Sequence, residues 1–131
     1  MKEKKHKCKI LIADDDEIFR NFIVRVLKKY HLFIEYDEAL NGEDAFKKIL
    51  KKKYDLIISD IVMPKLNGIE FAKKTLNIDP TSKFIIISGF FNELNDNDEL
   101  LLNNSIFISK PFKPETLIEA IKKIKPDCIS Y

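Results

Sequence analysis

The chain lacks a strong excess of charge of either sign, and this argues against several classes of protein. Among its 131 residues are 23 basic and 21 acidic side chains, so the formal net charge is only +2. Proteins that bind nucleic acid or an anionic membrane surface usually concentrate positive charge. We therefore expect neither direct nucleic-acid binding nor membrane binding.

Long apolar runs and clustered cysteines are missing as well. No apolar run approaches the length of a membrane span, and the charged segment 1–7 precedes an apolar stretch too short for a signal peptide. The two cysteines, Cys8 and Cys128, lie far apart without a CxxC motif, which indicates neither a zinc site nor a disulfide scaffold. A cytoplasmic protein with reduced thiols is the expectation.

The sequence instead contains five short segments that have the character of β-strands. Four of them are almost wholly apolar and end on a polar residue, as is typical of strands covered on both faces of a parallel sheet. These four begin at Lys9, Leu56, Phe84 and Ile106. The run at residues 33–38 is more polar and suits an edge strand.

Segments with apolar residues three and four positions apart alternate with these runs and predict helices. Asp16 and Asn41 precede two of them as N-cap residues, and Pro114 takes the first position of the last. Residues 92–104 are rich in Asn and Asp, which compete with the helical backbone, so a short helix at most is expected there. The alternation predicts an α/β domain with a doubly wound sheet of five parallel strands and five helices.

By length the chain forms a single domain that buries a core of its own. We assign residues 8–125 to this domain, residues 1–7 to a basic lead-in and residues 126–131 to a tail. The lysine-rich end of the second helix, residues 47–53, complements the helix dipole and is expected to be a solvated face. His31 is expected in a turn.

Polar side chains follow four of the predicted strands: Asp14 and Asp15, Asp60, Ser88, and Lys110. The carboxyl ends of parallel strands share one edge of a sheet, so these groups should lie close together. Clustered carboxylates bind a hard cation such as Mg²⁺, a carboxylate can act as a nucleophile, and an ammonium offsets negative charge. Alone, Asp60 would also fit a solvated loop acid, but the set suits phosphoryl transfer to it.

Four motifs occur at the expected strand ends. They are Ile12-Ala13-Asp14-Asp15-Asp16, Ser59-Asp60 with Met63-Pro64 and Gly68 downstream, Ile87-Ser88-Gly89, and Ser109-Lys110-Pro111-Phe112. Together they resemble the receiver domain of bacterial two-component response regulators, over about residues 8–125. The resemblance implies a flavodoxin-like fold with strand order 2-1-3-4-5, which periodicity alone does not supply.

The resemblance also implies a role for each residue of the motifs. Asp60 would accept a phosphoryl group from a sensor histidine kinase or phosphotransfer protein. Asp15 would bind Mg²⁺ directly, Asp14 would help to hold it, and the backbone carbonyl of Val62 would complete the protein ligands. Ser88 would bond one phosphoryl oxygen, and Lys110, the remaining site residue, would pair with another. Signalling would end at a downstream effector, with no enzymatic activity beyond the domain's own phosphorylation and slow dephosphorylation.

Ser88 and Phe107 occupy the positions at which this family switches conformation. Phe107 stands where the family often has Tyr, so it can move by packing but has no hydroxyl to hold either position. By the same resemblance the peptide bond before Pro111 is expected to be cis. The resemblance also implies that Val62 and Phe90 would flank the approach of water to the phosphorus, and because neither can orient a water molecule, slow loss of the phosphoryl group is expected.

Three other kinds of protein share some of these features. A haloacid-dehalogenase-type phosphatase needs a second Asp at the position held by Val62, and a flavodoxin binds flavin phosphate in a loop that is here acidic. A degenerate receiver that acts as a phosphorylation-independent interaction module stays open, although every polar position is filled. A stand-alone regulator, a relay shuttle and the excised receiver of a longer protein are all open as contexts.

Overall fold

The computed structural model describes residues 8–30, 34–89 and 98–124, and strands alternate with helices in them as predicted. The strands are β1 (Cys8–Ala13), β2 (Ile34–Ala39), β3 (Leu56–Asp60), β4 (Phe84–Ser88) and β5 (Ser105–Ser109). The helices are α1 (Glu17–Lys29), α2 (Gly42–Lys51), α3 (Gly68–Ile78), α4 (Glu99–Asn103) and α5 (Pro114–Ile124). The predictions for His31, for the lead-in 1–7 and for the tail 126–131 lie outside the described residues.

The five strands form one parallel sheet in the order β2-β1-β3-β4-β5. This order confirms the flavodoxin-like fold. The more polar strand β2 lies at one edge, as its sequence indicates, and β3 lies in the middle. Since all strands run the same way, their carboxyl ends and the loops that follow them share one edge of the sheet.

Two apolar clusters cover the two faces of the sheet. Ile10, Ile12 and Ile58 point into the cluster formed with α1 and α5, whereas Leu11 and Ile57 point into the cluster formed with α2 and α3. Neighbouring residues of one strand thus enter opposite clusters, and every residue of β3 is buried. This two-sided burial explains why the strands are continuous apolar runs.

Side chains cap the starts of the helices that follow β1, β2, β3 and β4. The carboxylate of Asp16 accepts hydrogen bonds from the backbone N–H groups of Ile18 and Phe19. Asn41, Asn67 and Asp98 cap α2, α3 and α4 in the same way; α4 is short, as the composition of its region indicates. None of the described helices is long and apolar enough to cross a membrane.

The lysine-rich end of α2 is more than a solvated face. Lys52 lies 3.2 Å from Asp37 and 3.5 Å from Glu35, both on the edge strand β2. Asp37 also accepts a hydrogen bond of 2.6 Å from the buried Tyr54 hydroxyl, and this bond holds the pKa of Asp37 below its usual value. These contacts tie the end of α2 to the edge of the sheet.

The prediction of reduced thiols is wrong for Cys8. This residue is buried at the start of β1 and takes part in a disulfide bond. The chain's other cysteine, Cys128, lies outside the described residues. The absence of a CxxC motif argues against a local metal or redox site but does not exclude a disulfide bond.

Candidate functional site

The register of the sheet brings the predicted strand-end residues into one row. Ala13 of β1 pairs with Ser59 of β3, so the residues that follow them, Asp14 and Asp60, are neighbours. On the other side of β3, Asp60 pairs with Ile87, which directly precedes Ser88. Ser88 pairs with Ser109 of β5, and the next residue is Lys110. The row thus runs across four adjacent strands.

Three carboxylates meet at this edge of the sheet. One oxygen each from Asp14, Asp15 and Asp60 lies within 4.8 Å of the others. Asp14 and Asp60 are buried, whereas Asp15 is exposed. Asp14 Oδ1 accepts a hydrogen bond from the Asp16 N–H, but the buried Asp14 Oδ2 has no hydrogen-bond partner among the described residues.

Burial raises the pKa of Asp14 to about 6. The hydrogen bond from Asp16 and the charge of Lys110 act in the opposite direction, while the negative charges of Asp60 and Asp15 raise the pKa further. A buried carboxylate beside two like charges is unfavourable unless a cation offsets it. The site therefore favours cation binding.

Lys110 supplies the positive charge of the resting site. Its Nζ lies 3.3 Å from Asp60 Oδ2 and 3.9 Å from Asp14 Oδ2. The backbone N–H of Lys110 donates to the carbonyl of Ser88 at 2.8 Å, and the Lys110–Pro111 peptide bond is cis, as predicted. The lysine is thereby held at the row of strand ends by its backbone as well as by its ion pairs.

The donor set fits Mg²⁺. Carboxylate oxygens are the ligands that this hard cation prefers, and Asp14 belongs to the cluster and has one oxygen, Oδ2, without a hydrogen bond among the described residues. Asp14, Asp15 and Asp60 are the residues that would hold the ion. Val62 lies in the loop after β3 and is 65% exposed, and the role of its carbonyl stays a prediction.

The remaining predicted residues lie where their strands place them. Ser88 is buried at the end of β4, and Phe107 is half-buried on β5 against the apolar cluster of α2 and α3. Their roles as phosphoryl-binding and switch residues stay predictions. Phe90, which the slow-dephosphorylation prediction uses, lies outside the described residues.

Hydrogen bonds and one close packing contact fix both the backbone and the carboxylate of Asp60. Its carbonyl accepts a hydrogen bond of 2.9 Å from the Ser59 hydroxyl, and its Oδ1 accepts one of 2.9 Å from the Ile61 N–H. Gly68, the first residue of α3, packs so closely that a Cβ there would overlap the Asp60 carbonyl. A glycine at this position lets the start of α3 close the loop under the site.

Two site residues were not predicted. The guanidinium of the buried Arg20 donates to the Asp14 carbonyl at 2.7 Å and to Glu38 of β2 at 3.1 Å. The ring of Phe19 lies under Lys110, with 4.1 Å from Nζ to the ring centroid. The sequence contains a feature that could have indicated Arg20. It lies three residues before the buried Ile23, so it places a charge on the apolar side of α1.

Comparison with known proteins gives a consistent match to one family. The family model for the response regulator receiver domain matches residues 10–122. The response regulator receiver protein CpdR of Brucella abortus is 35% identical over 118 residues, which is 88% of this chain and 95% of that protein. Chemotaxis protein CheY of Thermotoga maritima is 32% identical over 116 residues, covering 88% and 96% of the two chains.

Solved structures resemble the chain over nearly its whole length. A CheY-like response regulator receiver domain protein from Methanospirillum hungatei superposes with a TM-score of 0.79 at 26% identity, over 94% of this chain and 97% of the other. The response regulator protein TrrA from Thermotoga maritima, solved in complex with Mg²⁺-BeF, has a TM-score of 0.76 at 30% identity, over 91% and 99% of the two chains.

Proposed function

The chain belongs to the response regulator receiver domain family of two-component systems, and from that membership we propose that it accepts a phosphoryl group on Asp60. The donor would be the phosphohistidine of a sensor histidine kinase or of a phosphotransfer protein. The observation that carries the proposal is the cluster of Asp14, Asp15 and Asp60 with Lys110 beside two of the carboxylates. That arrangement combines a nucleophile, cation ligands and a fixed positive charge.

In the transfer, an Asp60 carboxylate oxygen forms a bond to phosphorus. The bond between phosphorus and the donor imidazole nitrogen breaks, and its electron pair leaves with the imidazole. Lys110 is close enough to Asp60 to pair with a phosphoryl oxygen, and the Ser88 hydroxyl is proposed to donate to another. No acid/base pair is needed, because positioning and charge neutralisation supply most of the catalysis in phosphoryl transfer.

The proposed cofactor is Mg²⁺, which when bound would offset the negative charge of the phosphoryl oxygens. Asp14 and Asp15 would hold it together with Asp60 and the Val62 carbonyl. Support comes from the acidic cluster of this chain and from TrrA, which was solved with Mg²⁺-BeF.

The output of the proposed reaction is a change of surface rather than a released product. Ser88 would draw toward the phosphoryl group and Phe107 would follow by packing, which alters the face that a downstream effector contacts. The domain would thus turn over no substrate besides its own phosphoryl group.

We propose a cytoplasmic location, where a kinase has ATP. The disulfide at Cys8 is atypical of a reducing compartment. Thiol titration of protein from lysed cells would test the proposed location, because a cytoplasmic protein should have free thiols.

Acetyl phosphate and Mg²⁺ provide a direct test of the proposed acceptor. We expect wild-type protein to gain one phosphoryl group by intact mass, and peptide mapping to place it on Asp60. Asp60→Asn should gain none while keeping the circular dichroism spectrum of the wild type. A phosphoryl group on another residue, or labelling of Asp60→Asn at the wild-type rate, would refute the assignment. A folded wild type that stays unlabelled would favour the phosphorylation-independent interaction module.

A further inference from the structure

The Lys110 ammonium contacts two carboxylates and one aromatic ring. Asp60 and Asp14 lie 3.3 and 3.9 Å from its Nζ, and the face of Phe19 lies 4.1 Å from the same atom. A cation over the face of an aromatic ring is attracted by the negative charge density of that face, and the attraction grows as water is excluded. The lysine side chain is 32% exposed, so both the carboxylates and the ring act on a partly dry ammonium group.

An aromatic cluster fixes the ring of Phe19. Phe19 of α1 lies 5.9 Å, centroid to centroid, from Phe22 on the next turn and 5.9 Å from Phe112, with its plane at 88° to the ring of Phe112. The distance between Phe22 and Phe112 is also 5.9 Å. Phe112 follows Lys110 by two residues, so the cluster joins α1 to the turn that carries the lysine.

We propose that Phe19 is a positioning residue, which keeps the Lys110 ammonium between Asp14 and Asp60 through its ring face. The role of Phe19 rests on the proposed phosphorylation of Asp60. A lysine side chain has a long flexible stem, and on the carboxylate side alone its ammonium could follow either acid or turn to solvent. The ring face adds a third contact to the ammonium, so the charge stays where the phosphoryl oxygens arrive.

Matched variants separate this role from ordinary packing. Phe19→Leu keeps an apolar side chain but removes the ring face, Phe19→Tyr keeps the face, and Phe22→Leu removes a ring of the same cluster that is not the one under Lys110. With acetyl phosphate and Mg²⁺, Phe19→Leu should label about two- to fivefold more slowly than wild type. Phe19→Tyr and Phe22→Leu should stay within about twofold of it.

A measurement without phosphoryl transfer tests the same contact in the resting protein. Urea midpoints of wild type, Phe19→Leu, Lys110→Met and the double variant form a double-mutant cycle. We expect Phe19→Leu to lower the midpoint more when Lys110 is present than in the Lys110→Met background. Repeating the cycle with Phe22→Leu should give no such difference.

The outcomes distinguish failure of this proposal from failure of the proposed function. A wild type that takes no phosphoryl group refutes the function, while the urea cycle still decides whether Phe19 holds Lys110. Equal slowing by Phe19→Leu and Phe22→Leu would overturn the positioning role, because it would reduce the effect to packing. A cycle without coupling between Phe19 and Lys110 would overturn it as well.

Discussion

Asp14 combines burial with two acidic neighbours, and its titration links the site to stability. Its pKa is 3.8 in the absence of the fold and about 6 in the folded protein, so folding favours the neutral acid. Ionised Asp14 therefore lowers the free energy of unfolding. This destabilisation is absent below pH 3.8, grows as the pH rises toward about 6 and is complete above that. Since one pKa unit corresponds to about 1.4 kcal/mol, the destabilisation reaches up to about 3 kcal/mol at neutral pH.

Asp14→Asn should therefore stabilise the protein in the absence of divalent cations. The amide retains an oxygen that can accept the Asp16 N–H but has no charge to bury. We expect a gain of about 1–3 kcal/mol at pH 7.5 in EDTA, shrinking toward zero at pH 4. Urea denaturation at both pH values measures it, with the exposed Asp15→Asn as the control of smaller gain. A gain that did not depend on pH would contradict this account.

At the residue scale the sequence predicted which charged groups lie together at the strand ends, but not the side chains that contact them. Asp14, Asp60 and Lys110 were predicted because strand ends of a parallel sheet meet, and a strand end can be located from an apolar run. The contacts of Phe19 with Lys110 and of Arg20 with the Asp14 carbonyl join separate elements through side chains. Such contacts depend on rotamers and on the distance between elements, which periodicity does not encode.

Helix α3 and strand β3 meet at Gly68, which makes the start of α3 sensitive to a single methyl group. Gly68→Ala would place a Cβ against the Asp60 carbonyl, so the loop must shift. We expect a loss of about 1–3 kcal/mol in the free energy of unfolding and slower labelling of Asp60. Alanine is otherwise the better helix former, so helix propensity alone predicts that Gly68→Ala would raise the free energy of unfolding.

Gly89→Ala is the matched control, because a Cβ at that position would have none of the described residues within 4 Å. Its free energy of unfolding should stay within about 0.5 kcal/mol of wild type. Comparable losses in both variants would show that the close approach of α3 to Asp60 is not what makes Gly68 necessary.

The elements differ in how far local sequence determines them. Caps at Asp16 and Asn41 and the start of α5 at Pro114 were predicted because these signals lie within a few residues. The sheet order came from the resemblance, since pairing between β1 and β3 joins residues more than 40 positions apart. The disulfide at Cys8 and the ion pairs of Lys52 were missed for the same reason: their causes lie in the tertiary structure.

For the whole molecule, Mg²⁺ should act as a stabilising ligand. An ion that binds only the folded protein adds about 2.7 kcal/mol at a free concentration one hundred times its Kd. The melting temperature should rise with Mg²⁺ in this manner and far less with NaCl of equal ionic strength. Asp14→Asn, already relieved of its charge, should respond less than wild type. An equal rise in melting temperature with the two salts would contradict the proposed metal site.

The central position of β3 has a consequence for how signalling could be observed. Both neighbours of β3 are strands, and all its residues are buried, so its amide hydrogens should exchange with deuterium only when the whole domain opens. The edge strand β5 and the five-residue α4 beside it can open locally at a lower free energy. Exchange in peptides from β3 would then report the rate of global unfolding. Exchange in β5 and α4 would report whether Asp60 is phosphorylated. The proposed acceptor thus lies on a strand that is expected to exchange slowly, and its phosphorylation would be detected in elements that are expected to exchange faster.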